Sequence, residues 1–438
     1  MNPEFPGFFL QYRKHKFVHV NSFIIVEVDT EDIMKYDFET IMDRAGHDAI
    51  AVDLPENYLG NYAEPKRKEG FDVIPMWVAD MNFPVLPNIQ NEIIKRTQHP
   101  AFGYFSPRDE YFDEIIKWQE TRNGVKGLTK ECIGYENGVL GGVISAINVL
   151  ASKGDSVLLH SPTYVGFTHV LSNNGYNMVH SPLYKDENGT WRMDYEDMEK
   201  KIVENNIHVA ILCNPYNPTG RVWTKEELEK AVSLFEKYNV WIVADEIWSD
   251  LILKGNKHIP VQSVNEYART HTAAMYAPSK TFNLAGLIGS YHIIYNSWLR
   301  DRVLKESSLS HYNSMNVLSM YALIGAYQPE GYEWVDELTQ VLTDNVNYAY
   351  DFINEHFKGV TLSKPEGTYM LFIDCEEWCR EHNKDLDYVF KKGWEYGVYW
   401  QDGRAFHGDW CIRMNLALPA SRVKEAFDRL DKYVFNAE

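Results

Sequence analysis

Between about residues 130 and 290, short apolar segments alternate with segments of helical periodicity. The short segments are apolar on both faces, which is typical of a mainly parallel sheet covered by helices on its two sides. Thr224 and Glu227 form a capping-box pattern, which predicts the start of a helix. The pattern therefore predicts an α/β fold, with strands at 156–160, 209–213, 240–244 and 273–277 and helices at 140–150 and 224–237.

Side chains with useful chemistry follow each of these predicted strands. Tyr164 comes after the first strand, Asn217 after the second, Asp245 after the third and Lys280 after the fourth. The carboxyl ends of parallel strands share one edge of a sheet, and ligands bind beyond that edge in open α/β sheets. We therefore expect an aromatic ring, an amide, a carboxylate and an amine to meet at one candidate site.

Charge and composition argue against several classes of partner. The net charge of −19 disfavours a nucleic-acid surface, because phosphate binding needs clustered Lys and Arg. No apolar run reaches the roughly 18 residues of a membrane span. The five cysteines lack a paired spacing and favour free thiols in a reducing cytoplasm, and no metal site is predicted among the 15 histidines.

The length of the chain predicts more than one domain, since a single core stops growing near roughly 250–300 residues. Residues 1–33 are predicted to be an N-terminal extension, because Met34 opens a segment typical of a domain start. Residues 34–85 are predicted to contribute to the small domain and 86–325 to form the large one. A new helix–strand pattern predicts that residues 326–438 form the C-terminal small domain.

Several motifs carry a family resemblance. Ala277-Pro-Ser-Lys-Thr-Phe-Asn283, Asn214-Pro-Tyr-Asn-Pro-Thr-Gly-Arg-Val-Trp223 and Ala244-Asp-Glu-Ile247 together resemble the fold-type I pyridoxal-5′-phosphate (PLP) enzymes of the aminotransferase class I/II group. Within that group, Met76-Trp-Val-Ala-Asp-Met-Asn-Phe-Pro84 and Asp245-Glu-Ile-Trp-Ser-Asp-Leu251 resemble the MalY/PatB-type carbon–sulfur β-lyases. The resemblance covers about residues 34–435. It implies PLP as the cofactor, a large PLP-binding domain with a mainly parallel central sheet, and a smaller α/β domain.

By this resemblance Lys280 is the residue that carries PLP as a Schiff base. An amine is nucleophilic only when it is deprotonated, so burial must lower its pKa. A lone lysine at a strand end is ordinarily a surface residue, but its position in this motif favours the catalytic role. Asp245 is expected against the pyridine nitrogen, because a buried carboxylate needs a cationic partner. The alternative for Asp245 is an N-cap of a following helix.

The resemblance also assigns the other contacts of the cofactor. Asn217 donates to the 3′-oxygen of PLP, although the sequence of this loop favours turns regardless of function. Tyr164 stacks on the ring, and its alternative is a tyrosine of the core. Val139 and Leu140 lie at the start of a glycine-rich helix, and their backbone amides bind the phosphate, to which Ser279 adds a hydroxyl.

Substrate and subunit contacts are implied in the same way. Arg413 binds the substrate α-carboxylate, which suits a bidentate guanidinium, and its alternative is a surface arginine on an amphipathic strand. Ala79 and Asn217 are assigned to the substrate site as well. Tyr104 reaches the phosphate of a neighbouring subunit, which implies a homodimer with shared active sites.

Three positions depart from the patterns of related sequences. Trp248 stands where many family members have His, and Asn82 stands where the family has Asp; both bear on the choice of substrate. Aminotransferases often have a basic residue eight positions after the lysine, and this chain has Ile288 there. The last departure favours the lyase branch.

The resemblance therefore implies a PLP-dependent lyase that cleaves cystathionine or cysteine S-conjugates to a thiol, pyruvate and ammonia. The first alternative is a PLP-dependent aminotransferase acting on an L-amino acid and a 2-oxo acid, which needs the same residues. A second alternative is a PLP-bound regulatory or partner-binding protein with little turnover. The presence of every expected type of site residue counts against the second alternative.

Overall fold

The computed structural model describes residues 34–53, 67–308 and 313–437, and the predicted extension over residues 1–33 lies outside them. The described strands are β1 (Ile74–Pro75), β2 (Ile133–Asn137), β3 (Ser156–Ser161), β4 (Asn177–Pro182), β5 (Tyr184–Lys185), β6 (Trp191–Arg192), β7 (Val209–Cys213), β8 (Trp241–Asp245), β9 (Thr272–Tyr276), β10 (Gly289–Ile293), β11 (Thr361–Leu362), β12 (Met370–Asp374), β13 (Val398–Tyr399), β14 (Gln401–Asp402) and β15 (Cys411–Asn415).

The described α-helices are α1 (Pro87–Thr97), α2 (Asp109–Asn123), α3 (Gly138–Leu150), α4 (Val165–Asn173), α5 (Tyr195–Glu204), α6 (Lys225–Lys237), α7 (Glu266–His271), α8 (Pro278–Thr281), α9 (Ser297–Ser308), α10 (Val317–Ala326), α11 (Pro329–His356), α12 (Glu376–Glu381), α13 (Leu386–Glu395) and α14 (Ala420–Leu430). The predicted capping box is present, since Thr224 and Glu227 each bond the other's backbone N–H at the start of α6. Among the described residues, no helix is long and apolar enough to cross a membrane.

A seven-stranded sheet forms the larger layer, in the order β2-β10-β9-β8-β7-β3-β4. Strands β9, β8, β7, β3 and β4 pair in parallel, whereas β10 is antiparallel to both of its neighbours. Strands β7 and β9 are buried along their whole length, as expected for strands covered by helices on both faces. The prediction of a mainly parallel α/β sheet is confirmed.

A four-stranded sheet, in the order β11-β12-β15-β14, lies in the C-terminal part of the chain. Its central strands β12 and β15 are antiparallel, with Phe372 opposite Arg413. The predicted boundary between residues 325 and 326 falls at the end of α10, and the division into domains remains a prediction.

Candidate active site

A cavity of about 210 Å³ lies beyond the carboxyl edge of the seven-stranded sheet. It brings together most of the predicted site residues, which are Ala79, Val139, Leu140, Tyr164, Asn217, Asp245, Ser279 and Lys280. Arg413 lines an adjoining opening of about 820 Å³, which shares Ala79, Tyr164 and Lys280 with the first cavity. The strand ends therefore converge as the sequence predicts.

Lys280 lies in the short helix α8, directly after β9. Its Nζ donates a hydrogen bond to the carbonyl oxygen of Ala79 over 2.8 Å. Burial, and after it the charge of Arg413, lowers the pKa of the Lys280 amine to about 8, against the opposing carboxylates of Asp80 and Asp245. A sizeable fraction of the amine is therefore neutral, and nucleophilic, near neutral pH.

Asp245 is the last residue of β8 and is buried. Its Oδ1 accepts the backbone N–H of Ile247 over 3.1 Å, and residues 247–250 form a turn, so it does not cap a following helix. Burial raises the pKa of this carboxyl to about 7, against the Ile247 hydrogen bond and the charge of Lys280, while Glu246 adds to the rise. Among the described residues, no cationic side chain lies within 4.0 Å of the carboxylate. A pyridinium nitrogen would supply the missing cation.

The start of α3 also lines the cavity, with Gly138, Val139 and Leu140. Gly138 has a φ of +73°, and its N–H donates to the carbonyl oxygen of Ile288 over 2.8 Å. The first amides of a helix lack intrahelical acceptors, so they suit a phosphate. Ile288 also lines the cavity, so the side chain eight residues after Lys280 is apolar.

The ring of Tyr164 packs at the start of α4 and makes an edge contact with Phe167, with ring centroids 5.4 Å apart. Gly166 is required for this position. A Cβ atom at residue 166 would lie 2.4 Å from Tyr164 Cε1 and 2.8 Å from Leu140 Cδ1. Sequence reasoning missed Gly166, because no helix was predicted over residues 165–173 and the glycine follows Tyr164 without a recognisable pattern.

Arg413 lies in β15 and is only 4% exposed. Its Nη1 donates to Asn217 Oδ1 over 3.3 Å, its Nη2 donates to the carbonyl oxygen of Trp77 over 3.1 Å, and its guanidinium lies 4.5 Å from the ring centroid of Phe406. Its Nε is buried and has no hydrogen-bond partner. Burial lowers the pKa of Arg413 to about 10, against Tyr164 and Tyr369.

The surroundings of Arg413 have two consequences. No carboxylate of the described residues lies within 4.0 Å of this buried cation, so a carboxylate ligand would complete it. The oxygen of the Asn217 amide already accepts from Arg413, which leaves its amide nitrogen as the donor for a further group.

Side chains from distant segments fix the backbone of residues 77–81. Asn415 Nδ2 donates to the carbonyl oxygens of Val78 and Asp80, over 2.7 and 2.5 Å. Asn283 accepts from the N–H of Met81 over 3.0 Å and donates to its carbonyl over 2.9 Å. The two asparagines end the Ser-Lys-Thr-Phe-Asn and Arg-Met-Asn motifs, and sequence reasoning assigned them no role.

The two sequence departures at Asn82 and Trp248 occupy different surroundings. Asn82 Oδ1 accepts from Arg44 Nη1 over 2.9 Å, and Arg44 also forms an ion pair of 2.6 Å with Asp80. Asn82 therefore supports the backbone of the motif and does not line the cavity. Trp248 does line it, with its ring centroid 5.8 Å from Lys280 Nζ and 4.7 Å from that of Tyr369.

Tyr104 is the one predicted site residue that lies apart from both openings. Its side chain is fully exposed, in a segment without helix or strand between α1 and α2. Its predicted contact with another subunit remains a prediction.

Comparison with known proteins finds a matching family, a related sequence and similar solved structures. A model of the family Aminotransferase class I and II matches residues 72–430. Cystathionine β-lyase PatB of Bacillus subtilis (strain 168) is 32% identical over 386 residues, which cover 86% of this chain and 98% of PatB.

Two solved structures share the fold over nearly their whole lengths. The PLP-bound C–S lyase of Staphylococcus hominis matches with a TM-score of 0.80 and 29% identity, covering 91% of this chain and 98% of that one. A PLP-bound protein of Clostridium difficile 630, provisionally assigned as an aminotransferase, matches with a TM-score of 0.82 and 34% identity, covering 90% and 99%. These similarities confirm the predicted fold class.

Proposed function

Because the chain belongs to the aminotransferase class I and II family, we propose that it is a PLP-dependent carbon–sulfur β-lyase. Its substrate is cystathionine or a cysteine S-conjugate, and its products are a thiol, pyruvate and ammonia. The observation that carries the proposal is the convergence of four groups. The cavity joins the Lys280 amine, whose pKa is lowered, the buried Asp245 carboxyl without an ion-pair partner, and the start of α3. The buried Arg413 guanidinium, whose Nε has no hydrogen-bond partner, lies beside it. The similarity to PatB over 98% of its length supports the lyase branch.

The residues of the cavity fit PLP one by one. Bound PLP supplies an electron sink for the Cα atom of the substrate. Lys280 provides the amine for its aldehyde, and Asp245 provides the negative charge that keeps its ring nitrogen protonated. The amides of Val139 and Leu140, with Ser279, hold the phosphate, and Tyr164 and Asn217 hold the ring and its 3′-oxygen.

The same side chains account for the handling of the substrate. Arg413 binds the α-carboxylate through the Nε and Nη groups that lack an anionic partner. Lys280 Nζ, once it is neutral, takes the proton from Cα of a substrate whose carboxylate Arg413 holds. Trp248 and the carbonyl side of Ala79 bound the space around the β-substituent, where the sulfur leaves.

An aminotransferase is the second candidate, because it uses the same residues and because the similar Clostridium difficile protein is provisionally assigned that activity. The apolar Ile288 in the cavity lining favours the lyase. A homodimer with Tyr104 shared between subunits and a cytoplasmic location complete the proposal.

The deciding experiment gives the purified holoenzyme cystathionine and a series of S-alkyl cysteines, with and without a 2-oxo acid. Thiol and pyruvate in equal amounts, independent of the 2-oxo acid, are the expected result. Formation of a new amino acid from the 2-oxo acid, without thiol from any of these substrates, would identify an aminotransferase instead.

A further inference from the structure

The carbonyl oxygen of Ala79 accepts hydrogen bonds from two side chains. Lys280 Nζ donates over 2.8 Å, and the hydroxyl of Tyr369 donates over 3.0 Å. Tyr369 is fully buried just before β12, and its ring packs edge-on against Trp248 at an interplanar angle of 75°. One oxygen therefore connects the amine to a phenol of the C-terminal sheet region.

The Ala79 carbonyl is fixed from both sides along the chain. Asn415 holds the carbonyls of Val78 and Asp80, and Asn283 holds both backbone groups of Met81. The peptide cannot turn away without breaking these bonds, so the direction of its oxygen is set by the fold. What varies is how strongly that oxygen retains the amine.

We propose that Tyr369 is a positioning residue for Lys280, acting through the Ala79 carbonyl oxygen to which both side chains donate. The proposal rests on the proposed function, in which Lys280 Nζ must leave this oxygen to reach the cofactor and the substrate. A carbonyl oxygen that already accepts a hydrogen bond from a phenol hydroxyl binds a second donor less strongly. The hydroxyl hydrogen, which carries a partial positive charge, also disfavours an ammonium group at the same oxygen.

Other charged groups also act on the Lys280 amine, and some favour its ammonium form while others disfavour it. The cation of Arg413 in β15 disfavours the ammonium form, whereas Asp80 and Asp245 favour it. Arg44 neutralises part of the charge of Asp80. The other titratable groups that line the openings beside Lys280 are those of Tyr164, Cys213, Asp43, His47 and Asp48. A substitution at Tyr369 leaves all of these in place.

The test follows the capture of PLP by the apoprotein as a function of pH. Visible absorbance measures the rate, and borohydride reduction with peptide mapping identifies Lys280 as the acceptor. Tyr369→Phe keeps the ring and removes the hydroxyl. The midpoint of the pH profile should rise by about half a pH unit. Without the phenol, the Ala79 carbonyl oxygen accepts only from Lys280 and therefore binds its ammonium form more strongly. Capture at neutral pH should slow about two- to threefold.

Tyr267→Phe is the matched control. Its hydroxyl donates to the carbonyl oxygens of Val240 and Phe235, over 2.9 and 3.2 Å, and it lines neither opening. Its profile should coincide with that of the parent protein. Site-specific replacement of Tyr369 by 3-fluorotyrosine, a stronger hydrogen-bond donor, should move the midpoint down. This variant keeps the hydroxyl group, so it tests the direction of the shift without removing the hydrogen bond.

The outcomes separate the two proposals. If the parent protein captures PLP on Lys280 and neither Tyr369 variant moves the midpoint relative to Tyr267→Phe, the role of Tyr369 is wrong and the proposed function stands. If the parent protein captures no PLP on Lys280, the proposed function fails and this inference fails with it.

Discussion

Lys280 is the single residue on which the proposed chemistry depends most. Its amine has a pKa lowered to about 8 by burial and then by Arg413, so it can react with an aldehyde near neutral pH. Lys280→Ala should therefore abolish the borohydride-stable attachment of PLP and multiple turnover, whereas Lys257→Ala, at an exposed position, should retain both. The measurement is absorbance after reduction and dialysis. Undiminished covalent PLP in Lys280→Ala would place the attachment elsewhere.

Asp245 gives a pH-dependent prediction for the apoprotein. Burial raises its pKa to about 7, well above the ordinary value of a carboxyl, so the unfolded chain releases this proton at lower pH than the folded one. Stability contributed by the protonated form is therefore present in acid and lost as the pH rises from about 4 to about 7.

Asp245→Asn removes this loss. The variant apoprotein should melt roughly 2–4 °C above the parent at pH 8, and the difference should shrink at pH 5. The same variant should bind PLP more weakly, because the ring nitrogen loses its anion. Calorimetry at the two pH values, with PLP titrations, measures both effects. A melting difference independent of pH would mean that the carboxyl is already ionised without cost.

Residue identities near motifs were predictable, but the residues that orient them were not. Lys280, Asp245 and Asn217 follow strands within recognisable motifs, and the structure brings them into one cavity. Tyr369 and Asn415 reach the Ala79 and Val78 carbonyls across 290 and 337 positions of sequence. Such contacts depend on how two sheets pack, which local sequence pattern does not encode.

At the scale of elements, the sequence predicted strand positions to within a residue or two. The strand predicted at 209–213 is observed at those bounds, whereas the strands predicted at 240–244 and 273–277 are β8 (Trp241–Asp245) and β9 (Thr272–Tyr276). Because Asp245 is polar, the prediction placed it after its strand. In the structure it is the last residue of β8 and pairs with Cys213 of β7. The apolar periodicity indicated a helix only from residue 140, but the glycine-rich segment that begins at Gly138 was predicted to open it, and α3 does begin at Gly138.

Helix α4 offers a test of how an element places a ring. A methyl group at residue 166 would lie 2.4 Å from the Tyr164 ring, so Gly166→Ala must displace either the ring or the first turn of the helix. PLP affinity should fall about tenfold, the cost expected of overpacking. Gly286→Ala is the control, since its added methyl meets no atom within 4 Å. Equal PLP affinity in the two variants, measured by equilibrium dialysis, would show that Tyr164 does not support the ring.

At the scale of the whole molecule, the exposed segment between α1 and α2 is the strongest indication of an assembly. Tyr104 is fully exposed, and Phe102 and Phe105 beside it are 56% and 39% exposed. Aromatic side chains grouped on a loop are typical of a surface that another subunit covers. The proposed homodimer places Tyr104 of each subunit at the phosphate held by the other.

If each active site combines residues of two subunits, two inactive variants can complement each other, which is not possible if each site is built from one subunit. Tyr104→Ala and Lys280→Ala should each be nearly inactive as homodimers. When the two are unfolded together and refolded, each mixed dimer regains one complete site, which combines Lys280 of one subunit with the intact tyrosine of the other. Activity near a quarter of the parent's is expected, since about half of the dimers are mixed and each has one of two sites. Tyr184→Ala, at another exposed tyrosine, should be active by itself. Sedimentation establishes the dimer independently. If the mixture stays as inactive as its parts while sedimenting as a dimer, Tyr104 does not serve the site of its neighbour.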